Sequence, residues 1–346
     1  MRRIILVICI ILMTALPVHA AEVTAPQVPD SGAKYMPEDS ESFAEGMWSI
    51  LKAGISALTP SLAEACRVCF SVICAGIGLS LFQGFSGNVK VGVSLATALL
   101  IGILLLGTGN TMVSLAADTI HELSEYAKLL LPVMAGALAA QGGATTSAAL
   151  YTATALFSSI LSRLIAAVLI PVAYIFLALS VASSASGNDM LGKLKDLVMR
   201  LCSWSLKTLL AVFTGFLSIT GVVSGTTDAA AAKLTRAAIS GMVPVVGGIL
   251  SEATESVLVG AGMVKNAAGV YGMLAAAAVC IGPFLQIGVQ YLLLKATGAF
   301  CSLFAGKQVS GLVLDFSACF GLLLGMTGAT ILLLTISIIC FMKGMV

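Results

Sequence analysis

The stretch that decides the fold is residues 316–342, which reads FSACFGLLLGMTGATILLLTISIICFM. It contains no Asp, Glu, Lys or Arg, and about 20 apolar residues are enough for one helix to cross a bilayer. Gly321, Gly325 and Gly328 recur along it at helical spacing. Because small residues at this spacing let a second helix approach closely, we expect a transmembrane helix that packs against another helix through this glycine stripe.

The composition of the whole chain agrees with a membrane protein. Of its 346 residues, 59% are hydrophobic and 10% are charged, whereas soluble domains carry about 25% charged residues. The formal net charge of +2 provides no strongly basic surface for nucleic acid. We therefore predict an all-α, polytopic helical membrane protein that contacts lipid and has no nucleic-acid partner.

The N-terminus has the pattern of a signal peptide over residues 1–20. Arg2 and Arg3 precede a short apolar run, and Val18-His19-Ala20 resembles a cleavage site. Cleavage after Ala20 would leave the mature N-terminus outside the cytoplasm. The alternative is an uncleaved membrane anchor.

Residues 21–65 are predicted to form an extracellular acidic tail and an amphipathic segment. The first part contains three prolines and several carboxylates, and such a polar segment buries too little apolar surface to fold well alone. We interpret it as a flexible tail. Residues 43–62 are more apolar on one face, which predicts an amphipathic helix at the membrane surface.

Residues 66–346 are predicted to be the polytopic membrane domain. Uncharged stretches separated by charged or Gly-rich segments predict about six to eight transmembrane helices, with Gly/Pro-broken segments among them. The count depends on whether the short segments 129–147 and 237–262 span the membrane or re-enter it. The acidic stretch 118–125 is predicted to be a loop outside the cytoplasm. Lys90 and the cluster of basic residues within 193–207 are predicted to lie on the cytoplasmic side.

An internal duplication is one interpretation of this domain. Residues 129–225 and 237–342 each contain a Gly-broken segment, a Pro-containing helix, a basic loop and a further helix. Apolar sequences also resemble one another by composition alone. Two smaller features stay open: Arg163 marks either a tight turn or a buried charge, and Gly142-Gly143 is either a broken half-helix or a plain loop.

No catalytic constellation is visible in the sequence. The motifs of zinc proteases, serine hydrolases and nucleotide-binding loops are absent, and His121 is the one histidine beyond the signal peptide. The cysteines fit the role of small apolar residues. We expect no enzyme activity, no cofactor and no metal site.

The candidate site is a Gly/Pro-broken polar segment in the second half of the chain. Glu252 and Glu255 are three residues apart and share one helix face, beside a predicted helix break whose freed backbone groups need protein or water around them. We interpret the segment as a polar pathway or a helix-packing hub in which Lys265 is the counter-charge; an ordinary surface loop is the alternative. Its residues are Pro244, Gly247, Gly248, Glu252, Glu255, Lys265 and Asn266.

Three stretches resemble the stage III sporulation protein AE family of endospore-forming bacteria. They are residues 241–265, the helix 269–295 that ends IGVQYLLLK, and the final DFSACFGLLLGMTGATILLLTISIICF. The resemblance runs from about Leu62 to the C-terminus. It rests on the order and spacing of these stretches rather than on any one of them.

The resemblance implies a function that the residues alone do not. Members of that family are polytopic membrane subunits made in the mother cell, located in the membrane around the forespore. They join other stage III A proteins and a forespore partner called Q in a channel or secretion-like complex needed for forespore development. The alternative is a secondary transporter for a small solute, because transporters often build their sites from broken helices in paired repeats.

Overall fold

The computed structural model describes residues 26–37, 42–85, 90–187, 189–242 and 247–343. Within the helices, side chains are described except at residues 79, 82–85, 90, 91, 93, 94, 189, 217–242, 247–262 and 264. The predicted signal peptide therefore lies outside the described residues. All regular secondary structure in the described part of the chain is helical.

Nine helices follow one another in these residues, and a π-helical turn, Ile165–Leu169, joins the fifth to the sixth. The helices are α1 (Asp30–Ala33), α2 (Phe43–Ala57), α3 (Thr59–Phe85), α4 (Lys90–Ala140), α5 (Ala144–Leu164), α6 (Ile170–Ser186), α7 (Asp189–Met242), α8 (Gly247–Cys301) and α9 (Gly306–Lys343).

Six helical segments of the described chain are long and apolar enough to cross a membrane, and this confirms the predicted all-α polytopic fold. They are Thr59–Gly78, Leu95–Ala140, Ala144–Ser186, Met190–Phe216, Lys265–Cys301 and Gly306–Lys343. The second and third have 46 and 43 residues, about twice the roughly 20 residues that one crossing requires.

The predicted outer loop at residues 118–125 is wrong, because α4 runs through it as a continuous helix. Ile120, Leu123 and Tyr126 are each at most 4% exposed, and their spacing of three residues places them along one face. His121 and Glu125 are exposed on the other face. Burial of one apolar face therefore keeps this polar stretch helical.

Arg163 marks neither a turn nor a buried charge, because it is exposed within the continuous helical segment Ala144–Ser186. The π-helical turn follows two residues later. Pro171 has no N–H to donate to the carbonyl four residues back, and the N–H of Ile170 bonds the carbonyl of Ile165, five residues back. The helix widens at this point and does not end.

The Gly142-Gly143 segment is a turn between two helices. Gly142 has a φ of +93°, in the left-handed region that glycine enters without steric cost. After it, α5 runs back along α4. The Ser147 hydroxyl donates to the backbone carbonyl of Ala135 at 2.6 Å, and the Ser162 hydroxyl donates to the hydroxyl oxygen of Ser124 at 2.8 Å.

Two further turns lie together at one end of the bundle. Gly187 ends α6 with a φ of +63°, and its N–H caps the carbonyl of Ser183 at 2.9 Å. Gly187 packs against Gln308 at the start of α9, and Gly76 of α3 packs against Ala305 in the α8–α9 turn. The basic residues Lys193, Lys195 and Lys307 follow these turns in the sequence.

Helix α8 is central, because it packs against α1, α2, α3, α4, α7 and α9. Its closest contacts occur at glycines. A Cβ on Gly272 would lie 2.5 Å from the side chain of Leu130, and a Cβ on Gly298 would lie 2.8 Å from that of Leu314. Since lipid offers no hydrophobic drive between helices, such close contacts supply the packing energy.

The N-terminal segment packs on this same helix, although a flexible tail was expected there. Gly32 contacts Val279, and Tyr35 is 7% exposed against Gly282. The Ser31 hydroxyl donates to the carboxylate of Glu122 on α4. Residues 26–37 are thus ordered by contacts with two helices of the bundle.

The predicted amphipathic helix corresponds to α2. The Ser42 side chain caps it by accepting the N–H of Glu45 at 3.3 Å. Its buried residues, Gly46, Ile50 and Gly54, recur every four positions. Gly54 meets Ile281 of α8, so this face packs on protein.

Several buried hydroxyl groups are satisfied within their own helices. Each donates to the backbone carbonyl four residues earlier, as Ser and Thr can do in helices. These residues include Thr119, Thr154, Ser180, Thr327, Thr330 and Ser337, with oxygen–oxygen distances of 2.7–3.2 Å.

Two glycines of α8 provide a matched test of the packing. We expect Gly298→Ala to lower the free energy of unfolding by about 1 kcal/mol, because overpacking costs about 1–3 kcal/mol and removal of a helical glycine returns about 1 kcal/mol. Gly288→Ala should be neutral or stabilising, since the nearest atom, Cδ2 of Leu324, would lie 4.0 Å from the added carbon. Unfolding of the purified protein in mixed micelles measures both. Equal stability of the two variants would contradict this account of α8.

Candidate functional site

The predicted polar segment begins where α7 ends at Met242 and continues into α8 from Gly247. Pro244 lies outside the described residues, and Gly248, Glu252 and Glu255 are described by their helical backbone alone. Side chains on one helix are neighbours when they are three or four residues apart. Glu255 and Lys265 are about 15 Å apart along the α8 axis, and Lys265 as the counter-charge of the two glutamates stays a prediction.

Lys265 and Asn266 differ in their surroundings. Lys265 is 6% exposed, whereas Asn266 is exposed. A buried ammonium group inside a candidate membrane span is costly and such groups commonly serve a function. A polar pathway through this segment stays a prediction.

The predicted glycine stripe of α9 meets aromatic side chains and open space. Gly321 lies against the ring of Tyr291 and Gly328 against that of Phe284, with Cβ distances of 3.2 Å and 4.0 Å. Gly325 is exposed, and an added Cβ would be 3.6 Å from Leu206. The tightest helix contacts of the described chain are therefore at other glycines, and packing of this stripe on a helix of another protein stays a prediction.

An ion pair that the sequence did not indicate joins α7 to α9. The Lys195 ammonium lies 2.5 Å from Oδ2 of Asp315, and the two side chains are 14% and 16% exposed. Both residues belong to candidate membrane spans. A charge in such a position needs a partner because hydrocarbon cannot solvate it. The pair therefore fixes these two helices against each other.

One sequence signal could have pointed to this pair. Asp315 is the sole acidic residue between 306 and 343, and it immediately precedes the uncharged run that begins at Phe316. The sequence pattern predicts instead that Lys195 lies in a basic loop on the inner side. The two residues are 120 positions apart, so no spacing rule connects them.

A polar pocket, also missed, lies where α3, α4 and α8 meet. Its volume is about 180 Å³. Glu64 of α3 and Gln290 of α8 are on its walls, together with apolar Val68 and Met112. The further polar lining residues are Ser61, Thr108, Thr111 and Gln286.

A double-mutant cycle tests whether the ion pair holds α7 and α9 together. We expect Asp315→Ala to lower the free energy of unfolding by about 3 kcal/mol, because it leaves a buried ammonium without a partner. The combination of Lys195→Met and Asp315→Leu should recover most of that loss, since apolar pairs often replace buried ion pairs without cost. Unfolding in mixed micelles measures each variant.

The control is the exposed pair Lys128–Glu125, whose side chains are 65% and 50% exposed. Glu125→Gln should change the free energy of unfolding by less than about 1 kcal/mol. If Asp315→Ala were as mild as this control, the ion pair would have no structural role.

Comparison with known proteins identifies the family. The family model for stage III sporulation protein AE matches residues 35–344. The stage III sporulation protein AE of Bacillus subtilis (strain 168) is 25% identical over 203 residues, which are 59% of this chain and 50% of that protein. The match thus spans half the length of that relative, and no solved structure matches the chain. Since the family match covers most of the sequence, this chain belongs to the stage III sporulation protein AE family.

Proposed function

We propose that this protein is a membrane subunit of a channel or secretion-like complex that links mother cell and forespore and is needed for forespore development. Its membership of a sporulation family supports this role, as does its multi-pass helical bundle. The partners would be other stage III A proteins and the forespore channel partner. Its contribution would be assembly in the membrane, not catalysis.

The observation that carries the proposal is the open face of α9. Ala318, Gly325 and Leu332 are exposed at intervals of seven residues, and this helix is a candidate membrane span. At Gly325 no atom of the described chain comes closer to an added Cβ than 3.6 Å. A helix from a partner could therefore approach the α9 backbone here, as small-residue faces in membranes allow.

The proposed location is the mother-cell membrane around the forespore, with the mature N-terminus outside the cytoplasm. The basic residues Lys193, Lys195 and Lys307 follow turns at one end of the bundle, and basic residues favour the cytoplasmic side. Residues 26–37 and α2 pack on α8, so on this orientation the N-terminal segment would cover the outer side of the bundle.

The internal duplication also stays a proposal, and it favours a second candidate function. The predicted units, residues 129–225 and 237–342, each include a Pro-containing helical segment, a turn and much of a second long helix. Such paired units are common in secondary transporters. A transporter would bind its solute as an isolated protein, whereas a complex subunit would depend on its partners.

Gly325→Leu should abolish assembly while the protein still inserts and folds. The larger side chain would hold a partner helix away from α9, and because Gly325 is exposed and an added Cβ would lie 3.6 Å from Leu206, a leucine should be tolerated within this chain. The measurements are co-purification of the stage III A proteins and the frequency of heat-resistant spores, at equal protein abundance.

The matched control is Gly215→Leu on α7, where nothing lies within 4 Å of an added Cβ and the residue is exposed. It should leave both measurements unchanged. Normal sporulation of the Gly325→Leu strain would show that this face of α9 contacts lipid alone.

Orientation can be tested with single cysteines in a background in which the native cysteines are Ser. We expect a cysteine at Glu45, exposed on α2, to react with a membrane-impermeant thiol reagent in intact vegetative cells that express the protein in their cell membrane. A cysteine at Lys307, exposed at the start of α9, should react after lysis only, because the basic end would face the cytoplasm. The reverse pattern would overturn the proposed orientation.

A further inference from the structure

The polar pocket between α3, α4 and α8 is rich in oxygen atoms that can bind a cation. Its lining includes the carboxylate of Glu64, the carboxamides of Gln286 and Gln290, and the hydroxyls of Ser61, Thr108 and Thr111. Among the described residues that line it, none is Lys, Arg or His. The lining therefore carries one formal negative charge and no positive charge.

Gln290 points to a ligand independently of this composition. The residue is 6% exposed, and its Oε1 is buried without a hydrogen-bond partner in the described part of the chain. Buried polar atoms normally have a partner, because an unpaired one keeps the full penalty of its lost hydration. The penalty is greater inside a membrane span, and Gln290 lies within the span Lys265–Cys301.

The hydroxyl of Thr111 is oriented so that it can also act as a ligand. It donates its proton to the carbonyl of Gly107 at 3.1 Å. That bond uses the hydroxyl proton, so the oxygen lone pairs remain available to accept a hydrogen bond or to coordinate a cation. Thr111 and Gly107 both line the pocket.

We propose that this pocket binds an alkali-metal cation, Na⁺ or K⁺. Oxygen atoms of carboxylate, carboxamide and hydroxyl groups suit hard cations. A single carboxylate matches a monovalent charge, whereas Ca²⁺ sites draw on several acidic ligands and Mg²⁺ keeps most of its waters. At about 180 Å³ the pocket has room for the ion together with some of its hydration water, which occupies about 30 Å³ per molecule.

Access to this site is through Glu64. Its side chain is exposed near the start of the span Thr59–Gly78, while Gln290 is buried. The carboxylate thus attracts a cation at the mouth, and the carboxamide of Gln290 replaces part of its hydration shell within the pocket. Because Glu64 belongs to α3 and Gln290 to α8, a cation bound by both would link these two helices.

The test uses the purified full-length chain in lipid nanodiscs, without its partners. We expect the midpoint of thermal unfolding to rise with NaCl or KCl relative to choline chloride at equal ionic strength, because a ligand that binds the folded state alone stabilises it. The methyl groups of choline prevent oxygen ligands from coordinating its charged nitrogen as they coordinate a metal ion, so this comparison separates binding from general salt effects.

Two variants on different helices should lose this shift. Glu64→Gln removes the charge and Gln290→Leu removes the carboxamide. Glu45→Gln, at an exposed carboxylate on α2 outside the pocket, should retain the full shift. A shift that persists in Glu64→Gln, or a wild-type protein equally stable in choline chloride, would overturn the proposal, as would stabilisation by MgCl₂ or CaCl₂ alone.

Direct binding keeps the proposal testable if the variants do not fold. Equilibrium dialysis of the wild-type chain with radioactive sodium, and separately with radioactive rubidium as a tracer for K⁺, should show saturable binding of at least one ion that its unlabelled chloride displaces and choline chloride does not. Absence of saturable binding would overturn the site. Because no partner protein is present, this result is separate from the assembly measurements on Gly325→Leu.

Discussion

The constraint on which the rest of this structure depends is that a backbone N–H or C=O in hydrocarbon has no water to bond. Helices satisfy these groups internally, and this explains why α4 stays helical through its polar stretch and why the segment at Pro171 widens without a break. Several buried hydroxyls obey the same rule by bonding to carbonyls of their own helices, and those of Ser147 and Ser317 bond to carbonyls of a neighbouring helix. The α4–α5, α6–α7 and α8–α9 turns each contain or adjoin a glycine with positive φ.

Within that constraint, close contact at glycines decides how the helices are arranged. The glycines of α8 admit side chains from α4, α9 and the N-terminal segment, and α8 consequently lies at the centre of the bundle. The N-terminal segment is part of this packing. Residues 26–37, predicted to be part of a flexible tail, and α2 therefore form one layer of the bundle.

Two groups of polar side chains in the bundle differ in whether they neutralise each other. Lys195 and Asp315 neutralise each other and are explained by the stability of the contact between α7 and α9. Glu64 and Gln290 have no such mutual partner, and they border a pocket. The ion pair is already neutral and has no need of a bound ion. The oxygen-rich pocket has an unpaired carboxamide oxygen, so binding a cation there would stabilise the protein. The two proposals therefore concern different features of the protein. Assembly is assigned to the exposed apolar face of α9, and cation binding to the polar pocket between α3, α4 and α8.

The sequence by itself determined the helical class and the multi-pass character, because long uncharged runs such as residues 316–342 are stable in a bilayer only as helices, and it also indicated the family. It did not determine the helical state of residues 118–125, since the burial of Leu123 and Tyr126 depends on neighbours distant in the chain. Spacing drew attention to the glycines of α9, yet the tight contacts occur at Gly272 and Gly298. Only the tertiary structure decided these points, because whether a glycine, a charge or a carboxamide is packed, paired or left open depends on the residue that another helix brings opposite it.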